Sequence, residues 1–408
     1  MVCDPIPGLE TLALSITVGR GASAETEAQS GWAHLLEHMV FKGAGERSAK
    51  AIVEVIEAEG GQINAATGYE RTGFQVRALN GGLPLGFEVL ADLVQRPTLR
   101  ADDLVREKPV ITQEIAEAAD TPDDRVFDLV QSTAFSGHAL GRPILGTEDS
   151  VATAAPDTLA AFHAGLYAPG AIVISAAGAV DEARLLDLAT ARFGGATTAQ
   201  SPATPSAPQF VGGDVVETRT LEQAHVVLQL PAVGSRDRDY FVLRLFAEIL
   251  GGGMSSRLFQ EVRENRGLAY AIDAYADTYA ETGVLGVYLG AATADAAEAA
   301  RVSAGEIVAL SEQVHDDELA RAKAQLKAAT FMARESTLAR AELAAGQTLL
   351  FDRLFTVAET AEAIDAVTPD DITRLGARIL ASGACATAVL GPKRAGPAGR
   401  LFRQTLFG

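Results

Sequence analysis

Residues 194–214 read GGATTAQSPATPSAPQFVGGD: Gly, Pro, Ser and Thr dominate, no helical period runs through them, and Asp214 is the only charge. Such composition marks a linker. It separates residues 1–193 from 215–408, two stretches of nearly equal length, which directs attention to internal duplication. Working outward, Asp102-Asp103-Leu104-Val105-Arg106-Glu107-Lys108 opens a helical stretch in the first half. Asp316-Asp317-Glu318-Leu319-Ala320-Arg321-Ala322-Lys323 does so in the second, with Leu104, Arg106 and Lys108 matching Leu319, Arg321 and Lys323. Farther along, Ala155-Pro156-Asp157-Thr158-Leu159 resembles Thr368-Pro369-Asp370-Asp371-Ile372. Each half then closes on a β-rich run, Ala171–Ser175 and Ala386–Leu390.

Alternation and composition predict strands at Thr11–Val18, Gln62–Thr67, Thr72–Leu79, Val215–Thr220, His225–Leu230 and Gly283–Leu289. Helices are expected at Ala49–Ala58, Gly86–Val94, Asp102–Ala118, Asp239–Leu250 and Asp316–Ala341. Hairpin-like strand pairs with long helices against one face define an α+β unit, present twice.

The chain has 408 residues, of which 48% are hydrophobic and 21% charged, with no apolar run long enough for a transmembrane helix. The start, MVCDPIPGLE, lacks the basic region and apolar core of a secretory signal and is not an Arg-rich transit peptide. Cys3 and Cys385 form no metal or redox motif, which suits a reducing compartment, and a cytoplasmic protein is expected. The net charge of −19 argues against nucleic acid and anionic membrane surfaces as partners; it permits basic peptides.

His34-Leu35-Leu36-Glu37-His38 carries the chemistry. On a helix, His34 and His38 share a face and Glu37 lies on it as well. Two imidazoles and a carboxylate converging in this way suit a catalytic zinc site, and the spacing is the inverted form of H-E-x-x-H. Ser30 is the expected helix cap and Gly43 the expected stop. A third ligand is needed. Candidates are Glu107, Glu114 and Glu117 in the run REKPVITQEIAEAADTPDD, with Glu107 and Glu114 on one helix face. The second half has Ala322 and Ala329 at the places of Glu107 and Glu114, and no histidine pair, so it reads as a degenerate copy.

The segments HLLEHMVFKG (34–43), GGQINAATGYERTGFQ (60–75), REKPVITQEI (106–115), GRPILGT (141–147) and GGGMSSRLFQEVRENRGLAY (251–270) together resemble the pitrilysin (insulinase-like) family of zinc peptidases. Within that family the chain is most similar to mitochondrial processing peptidase β-type subunits and their bacterial relatives. The resemblance implies two homologous α/β-layered domains forming a clamshell: a catalytic domain at 1–193, the 194–214 linker, and a substrate-binding domain at 215–408. It implies one Zn2+ per chain held by His34, His38 and Glu114, with Glu37 as catalytic base and Glu107 as an acidic residue behind the ligands. Arg263 and Tyr270, in VRENRGLAY, match an arginine and tyrosine that reach the bound substrate. Asn64 and Ala65 fall on an edge strand to which relatives add substrate by main-chain hydrogen bonds.

The expected activity is endopeptidase cleavage of extended peptides or precursor segments by a zinc-activated water, with Glu37 moving the proton. The alternatives are a noncatalytic assembly subunit, which predicts erosion of the site residues, and a catalytic subunit that needs a separate partner. Arg263 and Tyr270 on the same chain favour a self-sufficient enzyme, expected as a homodimer rather than a heterodimer with a related subunit. Relatives also begin with a strand ahead of the equivalent of Ile6–Glu10. A chain starting here is expected to lack it and to leave unpaired main-chain groups on a neighbouring strand.

Overall fold

A computed structural model describes residues 1–195 and 207–408, so residues 196–206 of the expected linker lie outside the described residues. The chain forms two compact units, each discontinuous in sequence. The first comprises residues 1–116, the described part of 143–206, and 331–354; the second comprises 117–142, 207–330 and 355–408.

The first unit contains strands β1 (Val2–Pro5), β2 (Thr11–Val18), β3 (Gly43–Ala44), β4 (Arg47–Ser48), β5 (Gln62–Thr67), β6 (Thr72–Leu79) and β7 (Ile172–Gly178). Five of these make a sheet in the order β1-β7-β2-β6-β5, while β3 and β4 pair as a short ribbon. Only the β1–β7 pairing is parallel in the larger sheet. The second unit contains β8 (Gly213–Thr218), β9 (Gln223–Ala232), β10 (Ala271–Thr278), β11 (Gly283–Ala292) and β12 (Ala386–Gly391), in the order β10-β11-β9-β12-β8. Here too only the edge pairing, β12 with β8, is parallel. The two orders are the same topology read twice, so the duplication extends to every strand of the five-stranded sheets.

The strand expected to be missing is present. Val2–Pro5 pairs with Ser175–Gly178 and occupies the place that β8 holds in the second sheet. Its terminal proline and four-residue length hide it from pattern reading, but the exposed backbone of β7 specifies a partner whatever the side chains are. Strand β10 was likewise hidden, because Asp273 and Asp277 interrupt its apolar residues.

In the first unit the main helical layer covers the face bearing Leu12, Leu14, Ile16 and Val18, which pack with Leu35, Leu36, Met39, Phe74, Phe87 and Leu90. Period-two alternation puts Ala13, Ser15 and Thr17 on the opposite face, yet these are buried as well. They are covered by the helix Thr337–Phe351, which crosses β7 and β2. Small side chains permit that close approach: Ser175 Oγ donates to the Ala341 carbonyl oxygen at 2.8 Å, and Ala341 and Ala345 are fully buried. Arg340 clamps the end of β1 through a two-pronged ion pair with Asp4 at 2.6 and 2.9 Å. The single helix expected over Asp316–Ala341 is therefore two, Asp316–Ala333 and Thr337–Phe351, separated where Ser336 Oγ accepts from the Ala339 amide as an N-cap. In the second unit the helix Pro122–Ala134 plays the corresponding part against β12 and β9.

A chain ending at Gly195 lacks residues 331–354 and leaves one face of β2 and β7 open. It should bind ANS and lose near-ultraviolet dichroism. A sharp two-state melt of that fragment at the full-length midpoint would contradict this account.

Candidate metal centre

The helix Trp32–Val40 buries Trp32, Ala33, Leu35, Leu36, Met39 and Val40, leaving His34, Glu37 and His38 on its other side. Its start is not capped by Ser30. The buried carboxylate of Glu25 accepts from the amides of Gly31 at 3.0 Å and Ala33 at 2.7 Å. A carboxylate there satisfies two orphan donors and meets the positive end of the helix dipole, each contribution being about 1 kcal/mol. Gly31 has φ of 85° and Gly146 has φ of 75°, and the two backbones cross so closely that a Cβ on either would strike the other segment's carbonyl oxygen. Ser150 Oγ donates to the Ser30 carbonyl at 2.6 Å, and Trp32 Nε1 donates to the Ser150 carbonyl at 3.0 Å. The GRPILGT segment thus serves to hold the helix start. The helix ends at Val40, and Gly43 belongs to β3 rather than to a cap.

On the helix Ala101–Asp120, Glu107 is buried and Glu114 faces the histidines. The Nε2 atoms of His34 and His38 lie 3.8 and 3.6 Å from Glu114 Oε2. Ligand atoms on a zinc tetrahedron with ordinary bond lengths are about 3.3 Å apart, so the donor set fits such an ion with a small contraction. Among the described residues this is the one group of three His, Cys, Asp or Glu side chains whose donor atoms lie within 4.8 Å of one another. Glu117, the remaining candidate, falls in the second unit.

Electrostatics prepare the imidazoles. His38 Nδ1 donates to Glu107 Oε1 at 2.8 Å, which leaves Nε2 as the lone-pair nitrogen facing Glu114. The other oxygen of Glu107 pairs with Lys42 Nζ at 2.6 Å, so this buried carboxylate has both a partner and a counter-charge. Burial first, and His38 second, lower the pKa of His34 to about 4, keeping it neutral as ligation requires. Glu37 is raised above the usual carboxylate range, mainly by burial. A hydrogen bond from Thr67 opposes that shift, with Oγ1 donating to Glu37 Oε2 at 2.5 Å. Burial first, and the negative charge of Glu37 second, raise the Tyr167 phenol and hold it protonated.

The insulinase (peptidase family M16) profile matches residues 6–148, and the peptidase M16 inactive domain profile matches 153–326. An uncharacterized zinc protease of Streptomyces coelicolor is 35% identical over 410 residues, covering 98% of this chain and 89% of that protein. This chain belongs to the insulinase (M16) family. Another relative, an uncharacterized zinc protease of Bacillus subtilis, is 32% identical, with 96% of each chain covered. Among solved structures, a protease from Helicobacter pylori has a TM-score of 0.88 at 19% identity, covering 96% of each chain. A chain of complex III2 from Candida albicans has a TM-score of 0.84 at 20% identity, covering 99% of this chain and 96% of that one. These two likenesses concern the fold.

The other expected residues of this M16 chain lie in two places. Asn64 and Ala65 are on β5, the outermost strand of the first sheet, with Asn64 exposed and Ala65 packed toward the core. Arg263 and Tyr270 are in the second unit, at a π-helical turn, Phe259–Asn265, and just ahead of β10. The Arg263 guanidinium stacks 4.7 Å from the Phe259 ring centre and 5.5 Å from that of Tyr270. Tyr270 is 76% exposed. The counterpart of the histidine helix there, Tyr240–Gly251, carries Arg244, Ala247 and Glu248 when Leu36 is set on Phe246, so no ligand pair survives in the copy.

Glu25, Lys42 and Thr67 were missed by sequence reading. Thr67 shares the inward period of Ile63 and Ala65, and Lys42 lies one turn beyond His38, so both left a signal; Glu25 left none. Two outcomes are expected. Gly31→Ala should cost at least about 2 kcal/mol, measured by denaturant unfolding, because it adds backbone strain and a steric clash. Glu107→Gln should weaken metal binding by about 10- to 100-fold in a chelator competition, with the fold retained by circular dichroism.

Proposed function

We propose that this chain is a zinc-dependent endopeptidase that cleaves extended peptides or precursor segments. The observation that carries the reading is the convergence of His34, His38 and Glu114 on one point, with Glu37 presented by the same helix. A zinc ion bound there supplies Lewis acidity and an acidified water. Glu37 would accept the water proton on Oε1, the oxygen not engaged by the Thr67 hydroxyl, and later give it to the leaving amine. Burial raises the proton affinity of Glu37 and so suits it to both transfers.

Among the described residues β5 ends the first sheet with a strand partner on one side only, leaving a row of main-chain groups to which an extended peptide can add. Asn64 and Ala65 contribute backbone positions to that pairing. Arg263 and Tyr270 are assigned to substrate contact, the arginine held rigid by its two aromatic neighbours. The net charge of −19 favours basic peptides. No helix among the described residues is long and apolar enough to cross a membrane. Free Cys3 and Cys385 suit a reducing compartment, so we assign the enzyme to the cytoplasm, and Arg263 and Tyr270 on the same chain support a homodimer. A noncatalytic assembly subunit has no need of Glu37 or of the ligand triad, and all four side chains are present.

Glu37→Gln should lower kcat on a quenched-fluorescent basic peptide by roughly 10²- to 10⁴-fold while one zinc per chain is retained. Chelation should abolish wild-type cleavage and zinc should restore it. Undiminished cleavage by Glu37→Gln, or by the metal-free protein, would sink the mechanism.

A further inference from the structure

We infer that Thr67 is a positioning residue for Glu37: its hydroxyl occupies one carboxylate oxygen and thereby turns the other toward the reacting water. The inference rests on the peptidase reading and adds to it a residue outside the metal-binding motif. Its basis is geometric. Thr67 Oγ1 donates to Glu37 Oε2 at 2.5 Å, a short charge-assisted bond of the kind that fixes a carboxylate rotamer.

The donor is itself held on two sides. Thr67 is the last residue of β5 and pairs with Thr72 across a turn closed by the Gly68 amide donating to the Arg71 carbonyl at 2.8 Å. That turn is pinned to the segment after β2. The amides of Ala22 and Ser23 donate to the carbonyls of Gly68 and Tyr69 at 3.0 and 2.8 Å, and Thr72 Oγ1 donates to the Arg20 carbonyl at 3.1 Å. Three residues after Ala22 stands Glu25, whose carboxylate holds the start of the helix that carries Glu37. One short segment, Arg20–Glu25, therefore sets the place of both the hydroxyl and the carboxylate it bonds.

The residue type also fits. A threonine side chain suits a strand end because it is β-branched, and it is the smallest such side chain with a donor. Valine has the same shape without the donor, and serine keeps the donor without the methyl. The pair separates a hydroxyl that orients the base from a side chain that merely fills space between strand and helix. A further consequence concerns substrate. Thr67 lies on the strand whose free edge is assigned to peptide pairing, so the proton acceptor is referenced to the same strand as the scissile segment.

The experiment uses the full-length, zinc-loaded chain and a quenched-fluorescent peptide, with kcat, KM, metal content and melting temperature measured for each variant. Thr67→Val should lose roughly 10- to 100-fold in kcat, the range expected for a hydrogen bond to a charged group, with KM and zinc content unchanged. Thr67→Ser should recover most of the wild-type kcat. Thr67→Ala provides a second hydroxyl-free variant should valine disturb folding. Wild-type kcat in a folded hydroxyl-free variant, alongside an inactive Glu37→Gln, would overturn the role of Thr67 and leave the peptidase reading standing. Equal losses in Thr67→Val and Thr67→Ser would also overturn it, by assigning the effect to shape. Full activity in Glu37→Gln would instead remove the base through which Thr67 is held to act, and both would fall together.

Discussion

The anchoring of one helix N-terminus is the constraint on which the rest of the site depends. The helix Trp32–Val40 has nine residues, too few to be stable by itself in water, so its position is a property of what holds it. Glu25 holds its first amides, and the crossing of Gly31 with Gly146 sets the distance to the segment that follows. The buried side packs into the core beneath the first sheet. With those fixed, His34 and His38 face the helix bearing Glu107 and Glu114, and Glu37 meets Thr67 on β5. An N-cap hydroxyl would satisfy fewer of those first amides, carry no charge for the dipole, and leave the helix untied to the segment hydrogen-bonded to the β5–β6 turn.

Charge is distributed to match. Glu107 is the most buried carboxylate of the centre, and its cost of burial is offset by Lys42 on one oxygen and His38 on the other. Glu114, within 3.8 Å of both imidazoles, is the more solvated carboxylate. Two glutamates on one face of one helix thus receive different roles from their surroundings rather than from their spacing. Glu37 is a third case, raised by burial and opposed by hydrogen bonds from Thr67.

Much of this was legible beforehand, and unevenly. The duplication was visible in the pairing of the DDLVREK and DDELARAK segments. The strand orders then proved the same in both sheets, including the edge strand that composition concealed. The histidine pair with Glu37 could be named because a helix converts sequence spacing directly into a shared face, whereas Glu114 was singled out among three glutamates only by the family resemblance. The helix cap could not, because Glu25 lies several residues upstream in an irregular loop whose path no periodicity describes. Nor could the division of the run beginning at Asp316 into two helices, since both parts have good helix formers throughout. The break appears where the chain leaves one core for the other.

The sequence by itself determined the family, the two-fold α+β plan, the donor types of the centre and the copy that lost them. These are local or periodic properties, encoded in residue identity and spacing. The tertiary structure alone decided that Glu107 is buried against His38 and Lys42 while Glu114 stays partly exposed beside both imidazoles, because burial and pairing between elements are not written in spacing. It alone decided that Thr67 meets Glu37 and that residues 331–354 complete the first unit. Those contacts join positions 30 to more than 300 residues apart, and only packing, which no local pattern records, brings them together.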